Sequence, residues 1–96
     1  MKILMVEDDP ELGLMLERML VGSGHFVSRA LRGGDALIAA MHTEFDLLMC
    51  DLMLPDLQGT DVIRALKAQA PHLPVIVVSA LEPSKWRDAC RDAGAT

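Results

Sequence analysis

The sequence predicts an α/β fold, a doubly wound parallel sheet with helices on both faces. Three observations carry that expectation. Uninterrupted apolar runs at Ile3–Val6, Leu47–Cys50 and Val75–Val78 read as strands buried on both faces. Stretches with apolar residues at helical spacing lie between strand candidates. Pro, Gly and Asp punctuate the junctions. Alternating units of this size lay parallel strands under helices, and right-handed crossovers leave few ways to connect them.

The elements follow in order. Asp9 is placed to cap a first helix with Pro10 at its first position. Leu12, Met15, Leu16, Met19 and Leu20 continue it, and Gly22-Ser23-Gly24 ends it. A short strand sits around Phe26-Val27, and Arg32-Gly33-Gly34 turns the chain. Asp35 to Met41 forms the second helix, and the strand that closes at Asp51 comes next. Val62, Ile63 and Leu66 mark a third helix, ended before Pro71. Pro74 precedes the fourth strand. Pro83 then opens a last helix through Ala89 and Cys90, with Gly94 placed to cap it.

Ninety-six residues make one small domain, and a hydrophobic fraction of 51% is enough for a core. A net charge of −5 argues against a nucleic-acid surface in this segment. No apolar stretch approaches the ~20 residues of a membrane span, and no secretory signal precedes Glu7. The expected compartment is the cytoplasm. Cys50 and Cys90 read as structural thiols rather than a disulfide or metal pair.

The chemistry gathers at one rim. Glu7, Asp8 and Asp9 follow the first strand, Asp51 ends the third and Ser79 ends the fourth. In open α/β sheets ligands bind at the carboxyl ends of the strands, where strand order reverses. Crowded carboxylates repel one another, and Mg2+ relieves them while keeping room for water and phosphate oxygens. A Mg2+ site is therefore expected. A carboxylate beside it can attack phosphorus, and Asp51, the lone acid closing an apolar run, is the candidate phosphoacceptor. The Ser79 hydroxyl can bond a phosphoryl oxygen and draw the loop from Ala80 to Ser84 inward.

Plainer readings stand beside these. Asp9 is explained as a helix cap, and Asp46 and Asp56 as turn formers. His25, His42 and His72 have no ligand spacing and read as solvated. The methionines follow the core pattern and read as packing. Trp86 half-buries against the sheet.

Taken together, these pieces resemble the response-regulator receiver domain of bacterial two-component signalling, the CheY-like family. The resemblance rests on Ile3-Leu4-Met5-Val6-Glu7-Asp8-Asp9-Pro10 and on Phe45-Asp46-Leu47 leading to Asp51-Leu52-Met53-Leu54-Pro55-Asp56 and Gly59. It continues through Pro74-Val75-Ile76-Val77-Val78-Ser79-Ala80 and Ala93-Gly94-Ala95. It implies a flavodoxin-like doubly wound sheet with strand order 2-1-3-4. It implies further that Asp51 accepts the phosphoryl group and that Asp8 ligates Mg2+ directly, with Glu7 acting mainly through a bound water. It also implies that Met53 offers its backbone carbonyl to the metal, that Ser79 is the switch hydroxyl, and that Pro55 and Gly59 shape the loop. A sensor histidine kinase is the implied donor. A phosphoacceptor signalling domain is implied rather than an enzyme, with at most self-phosphorylation from small donors and slow self-dephosphorylation.

The family pattern continues into a fifth strand with a switch aromatic, a Lys-Pro motif and a fifth helix, and this sequence stops at Thr96. The expectation is a truncated receiver whose exposed fourth strand favours a homodimer or a swapped oligomer. Three other functions compete on the same fold class. A phosphohydrolase wants an acid where Met53 stands. A flavin or nucleotide module wants a phosphate-cradling loop where Glu7-Asp8-Asp9 stands. The remaining alternative is a degenerate receiver acting as a non-phosphorylated interaction module.

Overall fold

A parallel sheet exposes no face to water, so its strands must be apolar on both sides and its helices must cover both. The computed structural model describes residues 1–52 and 54–78. Its elements run β1 (Lys2–Val6), α1 (Pro10–Gly22), β2 (Phe26–Ala30), α2 (Gly33–His42), β3 (Leu47–Asp51), α3 (Gly59–Gln69) and β4 (Val75–Val78). Every strand pair is parallel, as the alternating pattern predicts, and the order is β2-β1-β3-β4, as the family resemblance implies.

Register follows from which residues share a face. Leu4 pairs with Leu48 and Val6 with Cys50, while Leu48 and Cys50 in turn pair with Val75 and Val77. These side chains join Ala30, Ala36, Val62, Ile63 and Leu66 in one core beneath α2 and α3. Alternation sends Ile3 and Met5 to the other face, where they are buried too. Arg29, which pairs with Met5, points the same way and finds α1. Its guanidinium donates to the Pro10 carbonyl at 3.3 Å and pairs with Glu17 at 3.6 Å. It lies so close over Gly13 that an added Cβ would sit 2.8 Å from Nη2. The sheet is thus clad on both sides.

Asp46 does more than turn the chain. Its carboxylate accepts the Lys2 N–H at 2.8 Å, and its own N–H donates to the Lys2 carbonyl at 2.7 Å. This two-point clasp stands immediately before the first paired residues, Ile3 and Leu47, and holds the β1–β3 register at its start.

Two expectations need correction. The second helix begins at Gly33 rather than Asp35, because the carboxylate of Asp56 reaches over from the β3–α3 loop to cap it. The methionines are not uniformly packing residues. Met5 is buried, but Met15, Met19 and Met41 are more than half exposed. On α1 the apolar stripe is wider than the surface it covers, so Leu12, Leu16 and Leu20 turn partly inward and Met15 and Met19 face out. The last helix expected from Pro83 through Cys90, with Trp86, falls outside the described residues.

The faces predict unequal costs. Ile63→Ala, at a fully buried position, should lower unfolding free energy in urea by about 3 kcal/mol. Ile38→Ala, on the exposed side of α2, should cost less than about 1 kcal/mol in the same measurement.

Candidate functional site

The β1–β3 register places the site. Since Val6 pairs with Cys50, the next residue on each strand, Glu7 and Asp51, emerges side by side at the carboxyl edge of the sheet. The Glu7 N–H donates to the Ala30 carbonyl at 3.1 Å, extending the β1–β2 pairing by one step and holding the Glu7 backbone at the rim. Asp8 follows, exposed. One carboxylate oxygen from each of Glu7, Asp8 and Asp51 lies within 4.8 Å of the others. No other group of three such ligand side chains occurs among the described residues.

Asp9 stands apart from this trio. It is the N-cap of α1, its Oδ1 accepting from the Glu11 and Leu12 amides at 3.0 and 3.3 Å. Its own N–H donates to Glu7 Oε1 at 3.1 Å, so the cap also steadies the first acid of the cluster.

Glu7 is only 5% exposed. Burial drives its carboxyl pKa up to about 7; the Asp9 amide opposes this, and the Asp51 charge and the Asp8 side chain add to it. An acid buried beside two more acids has an obvious complement. Three hard oxygen donors converging on one point, one of them buried and with its pKa raised, fit a divalent cation of the Mg2+ type.

The loop leaving Asp51 is built for close approach. The Gly59 N–H donates to the Leu52 carbonyl at 2.8 Å, closing the loop at its base. A Cβ on Gly59 would run into the Asp51 carbonyl oxygen and come within 2.6 Å of Leu52 Cα, so glycine is required there. The Cys50 thiol donates to the Asp51 carbonyl at 3.2 Å and holds the same peptide from the core side.

Asp56 completes the loop, and the turn-forming role expected of it is incomplete. Its Oδ1 accepts from the Gly33 N–H at 2.8 Å and its Oδ2 from the Gly34 N–H at 2.9 Å. The Gly34 and Gly33 amides hold its carboxyl below the usual range. A helix opening on Arg32-Gly33-Gly34, with no capping side chain of its own, was the available signal for a distant cap. Ser79 and Met53, the other two expected site residues, lie outside the described residues.

A cleft of about 830 Å³ opens at the opposite end of the sheet, between the C-terminal ends of α2 and α3, beside Met41, Phe45 and Leu73. It is far larger than an ion needs, and it lacks the converging carboxylates of the rim.

The family model for the response regulator receiver domain matches residues 3–96. The chain belongs to that family. It is 39% identical over 95 residues to the probable transcriptional regulatory protein SilR of Salmonella typhimurium, and 34% identical over 95 residues to the transcriptional regulatory protein CusR of Escherichia coli. Each alignment covers 99% of this chain and 42% of the relative, so the chain spans less than half the length of either. Among solved structures, the chemotaxis protein CheY4 of Vibrio cholerae superposes with a TM-score of 0.94 at 25% identity, covering 99% of this chain and 81% of that one. The protein is thus a receiver domain of the two-component response regulators, a signalling domain with the CheY-like fold. No helix among the described residues of this receiver is long and apolar enough to cross a membrane.

Two outcomes test the site's physics. A carboxyl with a folded pKa raised from 4.5 to about 7 binds a proton more tightly in the native receiver than in the unfolded chain. Stability of the metal-free protein should therefore fall as pH rises from about 4.5 to 7, at up to about 1.4 kcal/mol per unit, and level off above. Glu7→Gln should flatten that slope in urea melts across the same range. Gly59→Ala should destabilise by roughly 2–4 kcal/mol, since the clash is with backbone that cannot rotate away.

Proposed function

We propose that this receiver accepts a phosphoryl group on Asp51 from the phosphohistidine of a sensor histidine kinase. The observation that carries the reading is the convergence of Glu7, Asp8 and Asp51 at the carboxyl edge of the sheet, with ligand oxygens within 4.8 Å of one another. A carboxylate oxygen of Asp51 forms the new O–P bond as the N–P bond of the donor breaks, and the departing imidazole keeps that electron pair. Asp8 and Asp51 would hold Mg2+, with Glu7 beside them acting through a bound water. When bound, the ion neutralises the charge that gathers on the phosphoryl oxygens. The protein's own contribution is positioning. The β1–β3 register, the Gly59 contact and the Cys50 thiol keep Asp51 at the rim rather than in the core.

The family resemblance assigns the Met53 carbonyl to the metal and the Ser79 hydroxyl to the phosphoryl group. Ser79 would then convert the added charge into movement of the loop from Ala80 to Ser84 and so into altered partner affinity. A cytoplasmic location follows from a kinase donor of this class. SilR and CusR are named as transcriptional regulators, and regulation of transcription is the proposed output of signalling through this receiver. Self-association along β4, whose Ile76 is 48% exposed, belongs to the same reading. Size-exclusion chromatography should show a dimer at high protein concentration, and a monomer throughout would remove that part.

Intact-mass spectrometry after incubation with acetyl phosphate and Mg2+ tests the central claim. One phosphoryl group should add to the parent protein and none to Asp51→Asn. Beryllofluoride with Mg2+ should shift the amide resonances of Glu7, Asp8 and Asp51 in the parent only. An unmodified parent would favour an interaction module that is never phosphorylated.

A further inference from the structure

Among the described residues, hydrogen bonds tie the loop between Asp51 and α3 both at its base and away from it. The Gly59–Leu52 hydrogen bond closes the loop upon itself. The second tie runs outward, from the Asp56 carboxylate to the first two amides of α2, which are 22 and 23 residues away in sequence. Each oxygen takes one N–H, at 2.8 and 2.9 Å, so the carboxylate is held in two directions at once and cannot pivot about a single bond.

The surroundings are shaped for this contact. An added Cβ on Gly33 would stand 2.8 Å from Val62 Cγ2 and 2.9 Å from Leu57 Cδ1, and one on Gly34 would stand 3.2 Å from Asp56 Oδ2. The glycine pair lets the end of α2 settle directly onto the loop and the first turns of α3. Arg32, at the N-cap position with extended backbone, supplies no side-chain hydrogen bond to the helix, and among the described residues the capping carboxylate is that of Asp56. A local serine or aspartate at position 32 would cap α2 equally well. Capping from the loop achieves something a local cap cannot, because it fixes the loop's position along with the helix.

We infer that Asp56 is a positioning residue for the phosphoacceptor site, clamping the loop that begins at Asp51 to the N-terminus of α2. This rests on the reading of Asp51 given above. The clamp acts through backbone: with residue 56 anchored and residue 59 packed against the Asp51 peptide, the short segment that also contains Met53 has both flanks held. Outer partners of metal ligands commonly change metal affinity by about 10–100-fold when removed. Asp56 acts through the chain rather than on a ligand side chain, so its effect belongs at the low end.

The test separates positioning from simple helix capping. Mg2+ alone is titrated by calorimetry into the parent, Asp56→Ala, Asp56→Asn and the double variant Arg32→Ser with Asp56→Ala, and each is melted thermally. Asp56→Ala should melt lower and bind Mg2+ about tenfold more weakly. Asp56→Asn, which keeps one acceptor oxygen, should fall between it and the parent. The double variant should recover the melting temperature, because the introduced hydroxyl caps α2 locally, yet keep the weakened Mg2+ binding. Parent-like Mg2+ affinity in Asp56→Ala, or affinity that returns with stability in the double variant, overturns the inference and leaves the Asp51 reading intact. If Asp56→Ala is too unstable to titrate, the double variant decides alone. A parent protein that binds no Mg2+ and gains no phosphoryl group fails at the earlier step instead and takes the clamp with it.

Discussion

The parallel register between β1 and β3 is the constraint on which the site depends. Neighbouring strands lie about 4.8 Å apart, and a slip of one residue turns every side chain to the opposite face. Such a slip would drive Leu48 and Cys50 out of the core under α2 and α3 and would part Glu7 from Asp51. The chemistry at the rim is therefore secured by burial well below it. At the other end of the same strands, the Asp46–Lys2 clasp enforces the alignment through hydrogen bonds rather than packing. Core, clasp and acid cluster are three consequences of a single pairing.

That arrangement sets stability against function. Burying Glu7 beside two other acids raises its pKa, which means that the folded protein holds a proton it would release if unfolded. A core optimised for stability alone would place an apolar residue there. The strain is confined to one edge, where the ladder extends to Glu7 and the α1 cap at Asp9 both buffers Glu7 and starts the covering helix. A cation arriving at this edge meets carboxylates already assembled and gains the free energy of relieving their repulsion.

Tight backbone approach is the other recurrent device. Gly13 admits the Arg29 guanidinium, Gly33 admits Leu57 and Val62, and Gly59 admits the Asp51 peptide. In each case two elements come closer than a methyl group allows. The latter two join α2 to the β3–α3 loop and the loop's end to β3, so the helix end and the strand that carries Asp51 are both packed against the same loop.

Most of the architecture was legible in the chain itself. The apolar runs named the strands, Asp9-Pro10 named the start of α1, and acids at two strand ends named the rim, because burial on both faces and helix capping leave local signatures. The start of α2 and the roles of Asp46 and Asp56 were not legible, since each depends on a hydrogen-bond partner 22 or more residues away that no local pattern reveals. The outward turn of Met15 and Met19 was hidden for a related reason: spacing shows which residues share a helix face, but only the packed sheet decides how much of that face it covers. Local sequence determined which segments form and which residues reach the rim; tertiary structure decided register, cap and exposure, because those are set by groups that meet only after the chain has folded.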